Sequence, residues 1–189
     1  HNTGSLQRFV NDLKNVDPEA YSQLAPLLGS ASQGAQGAFG QKWKELARAG
    51  KLQSAEDKYA TDVYMKGGLN RVKDTDLVNR IKNNPVLSEV FLSTAVQHGE
   101  GGAGRIFNKM NSGMSDEDLI KAVYAERGRK NSDGSLAWFG SSAQAVQRGV
   151  ANRYIGEEKD ALAMLNRYNS GGMATQAIGG YRMNELPNR

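Results

Sequence analysis

The stretch from Asn84 to Arg105, NPVLSEVFLSTAVQHGEGGAGR, constrains this chain more than any other. Asn84 is a helix-capping residue type, and Pro85 suits the first helical position, where a missing N–H costs nothing. Val86, Leu87, Val90, Phe91 and Ala95 recur at three- and four-residue spacing, the pattern of one buried helix face. The spacing predicts a core helix over Asn84 to Gln97, stopped at Gly99. Gly99, Gly101, Gly102 and Gly104 predict a turn with so little side-chain bulk that another molecule can approach its backbone closely. His98 and Glu100 then form a polar pair at the mouth of a buried helix.

The remaining segments are helical by the same criteria. Leu6, Phe9, Val10 and Leu13 predict a short amphipathic helix, and Asp17-Pro18 opens a second one, with Leu24, Leu27 and Leu28 apolar and Pro26 as an interruption. Residues 30 to 40 read as a small-residue loop. A third helix from Ala38 buries Phe39, Trp43 and Leu46. Ser54 with Asp57 has the spacing of a capping box and predicts a helix through Tyr59, Val63 and Tyr64, stopped at Gly67-Gly68. A short helix from Asp74 carries Leu77, Val78 and Ile81. Beyond the glycines, Ile106, Phe107 and Met110 predict a short helix. Ser115 and Asp118 form a second capping box, ahead of Leu119, Ile120, Val123, Tyr124 and the run Glu126-Arg127-Gly128. A polar loop follows, with Asp133-Gly134 as a turn and Trp138-Phe139 as an aromatic anchor. The longest helix, from about Ser142 to Tyr168, has Ala145, Val146, Val150, Tyr154, Ala161, Leu162 and Leu165 on its inner side. No strand pattern or repeat is visible, so the expected class is all-α, with a helical domain over residues 1–168 and a glycine-rich tail over residues 169–189.

Composition narrows the chemistry. With 189 residues, 39% hydrophobic and 23% charged, the chain has the make-up of a folded domain rather than a disordered segment, and its length leaves room for two lobes. The net charge of +4 comes from 24 basic residues scattered among 20 acids, without a basic run. That pattern argues against nucleic acid and leaves only a mild pull toward a polyanion such as a bacterial cell wall. The absence of cysteine removes disulfides, thiolate catalysis and Cys-type zinc sites. No apolar run reaches about 18 residues and no signal-peptide pattern is visible, so the expectation is that nothing in this sequence enters a membrane unaided. The opening HNTGSLQRF lacks an initiator Met, so the expectation is a chain that begins inside a longer protein or after a cleavage. One internal His, with no HExxH and no acidic calcium loop, predicts no metal, and no nucleotide or cofactor fingerprint occurs.

Among polar residues, His98 is the one internal histidine. A histidine at a helix end serves either as a structural hydrogen-bonding group or as a site residue. Glu100, in the glycine-rich turn, reads as a solvated acid. Glu126, on a helix with one apolar side and followed by Arg127, suits a charge-assisted network near a cleft or a structural ion pair.

The ordered blocks NTGSLQRFV, GAFGQKWKELA, YATDVYM, LSTAVQHGEGGAGRIF, LIKAVYAERG and VQRGVANRYIGEEKDALAML resemble the chitosanase-like lysozyme domains carried by type VI secretion spike effectors and by phage tail peptidoglycan hydrolases. These are similar in turn to the family 46 chitosanases of the lysozyme superfamily. The resemblance covers about residues 2 to 168. It implies a two-lobed, lysozyme-like helical fold with a cleft between the lobes, and cleavage of the β-1,4 glycan of peptidoglycan. The expected partners are glycan strands, a secretion spike or phage tail protein, and an immunity protein. The expected destination is the bacterial periplasm or cell wall, reached by a contractile machine or on a virion. Gln97, His98 and Gly99 would contact sugar, while Glu126 and Arg127 would bind substrate or position and tune the acid.

The resemblance also places the catalytic Glu and a partner carboxylate in a YESGG segment followed by a SYGxYQ hairpin, ahead of the block matching NTGSLQRF. That segment and its small β lobe are missing from this sequence. Glycoside hydrolysis needs an acid for the leaving oxygen and usually a second carboxylate, and Glu126 and Glu100 are the nearest in-chain substitutes. Two readings stay open, a muramidase-like hydrolase whose catalytic segment lies outside this sequence or comes from another piece, and a non-catalytic domain for glycan binding or particle assembly.

Overall fold

The structure, a computed structural model, describes residues 3–171. Its described elements are helices throughout: α1 (Thr3–Val16), α2 (Pro18–Leu24), a 3-10 run (Ala25–Gln36), α3 (Ala38–Arg48), α4 (Gln53–Tyr59), a π-helical stretch (Ala60–Lys66), α5 (Gly67–Leu69), α6 (Thr75–Asn83), α7 (Pro85–Phe107), α8 (Asp116–Arg127) and α9 (Gln144–Asn169). Among the described residues no β-strand forms, and one isolated bridge joins Lys130 to Leu136. The all-α expectation is met. The residues beyond Gly171, which make up most of the expected glycine-rich tail, lie outside the described residues.

Two compact units divide the chain, with the boundary between Asp62 and Val63. In the first, α1 packs on α2 and α4, and α3 packs on α2 and the 3-10 run. Asp17 caps α2 by accepting from the Ala20 N–H at 2.9 Å, with Pro18 at the first helical position. Phe9 is the hub of this core, with ring centroids 5.1 Å from Trp43 and 5.3 Å from Tyr59. Residues 30 to 40 are not an open loop. Pro26 ends regular α-helical bonding, and the small side chains that follow wind as a 3-10 helix broken at Gly34. Ser30 ties this run to α3, its hydroxyl donating to Leu27 O at 2.9 Å and accepting from the Phe39 N–H at 2.9 Å.

The capping box expected at Ser54 and Asp57 does not form. Leu52, fully buried, is pinned at the N-cap position, so α4 starts earlier and Asp57 accepts from the Gln53 amide side chain instead. Gly67-Gly68 does not stop the chain either, because α5 continues straight from the π-helical stretch. A Cβ on Gly68 would lie 2.9 Å from Phe91 Cε1, so this glycine is a packing requirement rather than a stop.

The second unit is built around α7, which packs on α5, α6, α8 and α9. Asn84 caps it, its side-chain oxygen accepting from the Val86 N–H at 2.9 Å and the Leu87 N–H at 3.3 Å, with Pro85 next. Val86, Leu87, Val90, Phe91 and Ala95 are all buried, as their spacing predicts. The glycine-rich stretch corrects the sequence reading. Gly99 alone leaves helical geometry, at φ 73° and ψ 167°, and residues 100–107 resume a helix at once instead of forming a turn. A Cβ on Gly102 would stand 2.6 Å from His98 Cβ, and one on Gly104 would stand 2.6 Å from Arg71 Cβ. These glycines admit close neighbours inside a helix. Ser115 caps α8 as expected, accepting from the Asp118 N–H at 3.0 Å. The buried face of α9 runs through Val150, Tyr154, Glu157, Ala161, Met164 and Leu165, whereas Ala145, expected inside, is exposed in the first turn ahead of that face.

The two kinds of glycine in the second unit respond oppositely to alanine. Gly68→Ala is expected to cost about 1–3 kcal/mol by overpacking against Phe91. Gly101→Ala, which meets nothing within 4 Å, should gain about 0.4–1 kcal/mol by restricting the unfolded chain. Thermal melts of the two variants followed by circular dichroism check both signs.

Candidate functional site

Arg127 and Glu157 form a buried ion pair in the second unit. Arg127 ends α8 with its side chain 0% exposed, and Nη2 lies 3.0 Å from Glu157 Oε2, whose side chain is 2% exposed. A guanidinium stripped of water is tolerated only where charge and hydrogen bonds replace hydration. Here Nη1 donates to Ser93 Oγ at 3.3 Å and Nη2 donates to Gln97 Oε1 at 2.8 Å, both on α7. The planar cation also lies between two aromatic rings, 4.6 Å from the Tyr124 centroid and 4.4 Å from the Tyr154 centroid. Glu157 accepts from Ser93 Oγ at 3.0 Å and from Arg153 Nε at 2.6 Å. The network thus pins α7, α8 and α9 to one another. Burial pushes the Tyr124 hydroxyl well above its ordinary value, so it stays neutral beside these charges.

Tyr154 carries the network to its half-buried edge. Its hydroxyl lies 3.0 Å from His98 Nε2, at the last helical residue before the Gly99 break. The His98 ring stacks on Tyr154 at 6.2 Å and meets Trp138 and Phe139 edge-on, each at 5.5 Å. Trp138 and Phe139 therefore do anchor their loop, on the histidine. Trp138 Nε1 donates to the Glu126 carbonyl at 3.1 Å and to its carboxylate at 3.3 Å. On the same carboxylate, 10% exposed, converge Lys109 Nζ at 2.6 Å and Arg129 Nε at 3.2 Å. The Arg105 guanidinium lies 5.4 Å from the Trp138 ring centroid. Burial alone would raise the Glu126 carboxyl, but the hydrogen bonds and charges of Lys109 and Arg129 outweigh it and hold the group below the usual carboxylate range. This carboxylate stays ionised at neutral pH.

The structure thus brings together Gln97, His98, Gly99, Glu126 and Arg127, with Gln97 bonded directly to Arg127, and His98 joined to Glu126 through Trp138. Arg127 is fully buried and reaches a ligand only through the groups it holds. Glu100 is not solvated. It pairs with Arg71 Nη1 at 2.8 Å with its side chain 18% exposed. Sequence reasoning missed Glu157, although a carboxylate in register with Val150, Tyr154, Ala161 and Leu165 signals a buried charge awaiting a partner. It also missed Glu89 on α7, a half-buried carboxylate pushed up by burial. Among the described residues no cluster of His, Asp and Glu could hold a metal ion. An open cavity of about 290 Å³ in the first unit, lined by Phe9, Leu13 and Tyr59 with Asp12, Lys58 and Asp62, contains none of these site residues.

Two measurements test the electrostatics. Glu157→Gln strands the Arg127 charge and should cost about 3–5 kcal/mol, while Arg127→Met combined with Glu157→Leu should recover much of that loss. Urea unfolding of the single and double variants gives the coupling. Glu89 and Glu126 should show opposite pH signatures in melts. With its folded value raised, Glu89 erodes stability as pH climbs from the ordinary carboxylate value through the raised one, so Glu89→Gln should raise Tm at pH 7 and change little at pH 3. With its folded value lowered, Glu126 stabilises above the ordinary value and loses that contribution as pH falls through the lowered one, so Glu126→Gln should lower Tm at pH 7 more than in acid.

No curated protein and no solved structure matches the chain. Residues 1–159 match the family described as type VI secretion system spike protein VgrG3-like, C-terminal. That match runs from the first unit through α8 and into α9 as far as Lys159, taking in His98, Glu126, Arg127 and Glu157. The chain belongs to the family of C-terminal domains of VgrG3-like type VI secretion spike proteins.

Proposed function

We propose that this domain is a cell-wall effector module of a secretion spike, with a lysozyme-like fold, that engages the β-1,4 glycan of peptidoglycan in the bacterial periplasm and cleaves it. The observation that carries this reading is the edge-on meeting of His98 and Trp138, 5.5 Å apart, at the half-exposed edge of a buried network. Amino-sugar rings present apolar faces and a fringe of hydroxyl and acetamide groups. An indole beside an imidazole supplies stacking surface and hydrogen-bonding groups for them. Membership of a spike-protein family supports a periplasmic or cell-wall target, because such a spike carries its terminal domain with it.

The site residues divide by role. His98 contacts sugar, Gly99 breaks the helix beside it, and Arg127 and Gln97 position it. Glu126 is an ionised group that orients Trp138 rather than a proton donor, and Glu100 is engaged by Arg71. A leaving glycosidic oxygen needs a carboxyl that still holds its proton near neutral pH. Burial of Glu89 on α7 favours its protonated form. The ion-paired state of Glu126 and Glu100 favours the second reading, a domain that binds glycan without turning it over.

The test is release of reducing ends from purified peptidoglycan, run beside calorimetric binding of soluble glycan fragments. Hydrolysis supports the first reading, binding without hydrolysis supports the second, and neither would sink both. His98→Ala is expected to weaken fragment binding about tenfold, the usual scale for truncating a central contact, while costing less stability than the roughly 2–5 kcal/mol of a gutted core position.

A further inference from the structure

Three cations gather around one indole at the edge of the site. Arg105 lies against Trp138. Lys109 and Arg129, each 48% exposed, converge on Glu126, which itself bonds to the Trp138 N–H. Arg105 sits in the last turn of α7 and Lys109 just past its end, while Arg129 follows α8, so the ends of two helices build the cluster. The charges do not balance. Glu126 is a single, nearly covered carboxylate facing two cations, and among the described residues no carboxylate pairs with Arg105. Three positive groups face one negative group.

We propose that Arg105, Lys109 and Arg129 around Trp138 form a carboxylate-binding subsite, which selects an amino-sugar polymer bearing acidic substituents over neutral or cationic glycans. The proposal rests on the glycan reading of the previous section and names the substrate class within it. Three features carry it. Glu126 stays ionised and neutralises at most one of the cations that touch it, which leaves the other for a ligand. The Trp138 ring lies 5.4 Å from the Arg105 guanidinium and favours a position over its face, which limits the freedom lost when the cation meets a carboxylate. The indole also gives a sugar ring carrying that carboxylate an apolar neighbour. A polycationic glucosamine polymer would meet like charge here, a repulsion that excludes it.

The experiment uses the full chain and isothermal titration at low salt. Four probes are compared: carboxylate-bearing muropeptide fragments, the same fragments with their carboxyls amidated, neutral N-acetylchitotetraose, and inorganic polyphosphate. The acidic fragment should bind about tenfold more tightly than its amidated form, and added salt should erase most of the difference. Arg105→Gln should bring the acidic fragment down to the amidated level and leave N-acetylchitotetraose unaffected, whereas Arg105→Lys should retain part of the preference. Circular dichroism melts of both variants confirm that the fold persists. Equal binding of acidic and amidated fragments would overturn the subsite and leave glycan binding intact. Equally tight polyphosphate binding would also overturn it, by making the surface a general polyanion contact. Failure of every sugar to bind would remove the glycan reading, and the subsite with it.

Discussion

An arginine side chain with no exposure is the most demanding group in the second unit. Arg127 brings a full charge and five N–H donors out of water, and the desolvation penalty is recovered only if counter-charge and acceptors stand at fixed positions. Glu157 supplies the charge, Ser93 and Gln97 supply oxygen acceptors, and Tyr124 and Tyr154 supply the two faces. Each sits on α7, α8 or α9, so satisfying one side chain fixes the mutual register of three helices. Two of these partners lead directly to the site edge. Gln97 precedes His98 in sequence, and the Tyr154 hydroxyl reaches His98 Nε2. A histidine at half-buried depth is thereby positioned by a group that never meets solvent.

The glycines complete that arrangement by exception. A helix that continued unbroken past His98 would carry Glu100 and Arg105 to other sides of α7, and the single left-handed residue at Gly99 re-aims the axis. Glycine in a helix costs about 1 kcal/mol relative to alanine, so the others need a reason. Gly102 and Gly104 have one, since a methyl group on either would press into His98 or into Arg71. The helical piece 100–107 can therefore lie close to its neighbours. It ends by placing Arg105 on Trp138 and leads on to Lys109 beside Glu126.

Much of the fold was legible because its signals are local. Asn84, Asp17, Asp74 and Ser115 each cap the helix that their residue types announce, and the apolar spacing of α7 marks its buried residues correctly. What could not be read depends on groups distant in sequence. The glycine stretch looks like a turn from composition, and only the proximity of Arg71 and the His98 side chain explains a helix there. Ser54 and Asp57 have capping-box spacing, yet the burial of Leu52 overrides it. At the site, AVQHG and YAERG pointed to residues that do meet in space. Their roles were less legible, because Arg127 looks like a surface cation until Glu157, thirty residues on, is seen opposite it. A similar distance hides the fate of Glu100, since its partner Arg71 precedes it by more than a helix.

Two of the arginine–glutamate clusters of this unit, at Glu157 and at Glu126, show how burial separates architecture from recognition. At Arg127 and Glu157 water is excluded, the pair is screened little by salt, and breaking it is costly whatever its net worth, so it acts as a constraint on packing. At Glu126 the carboxylate is nearly covered but its cations are half exposed, and half-exposed ion pairs add at most about 1 kcal/mol each. Stability alone therefore gives little reason for two cations to crowd one acid, with a third on the adjoining indole. What the crowding does provide is a positive surface of fixed geometry next to His98, held on one side by Trp138 and on the other by an acid that stays ionised. The polar residues of this unit thus fall into a dry layer that sets positions and a wet layer that presents charge, and Tyr154 and Trp138 are the two side chains that join the layers through His98.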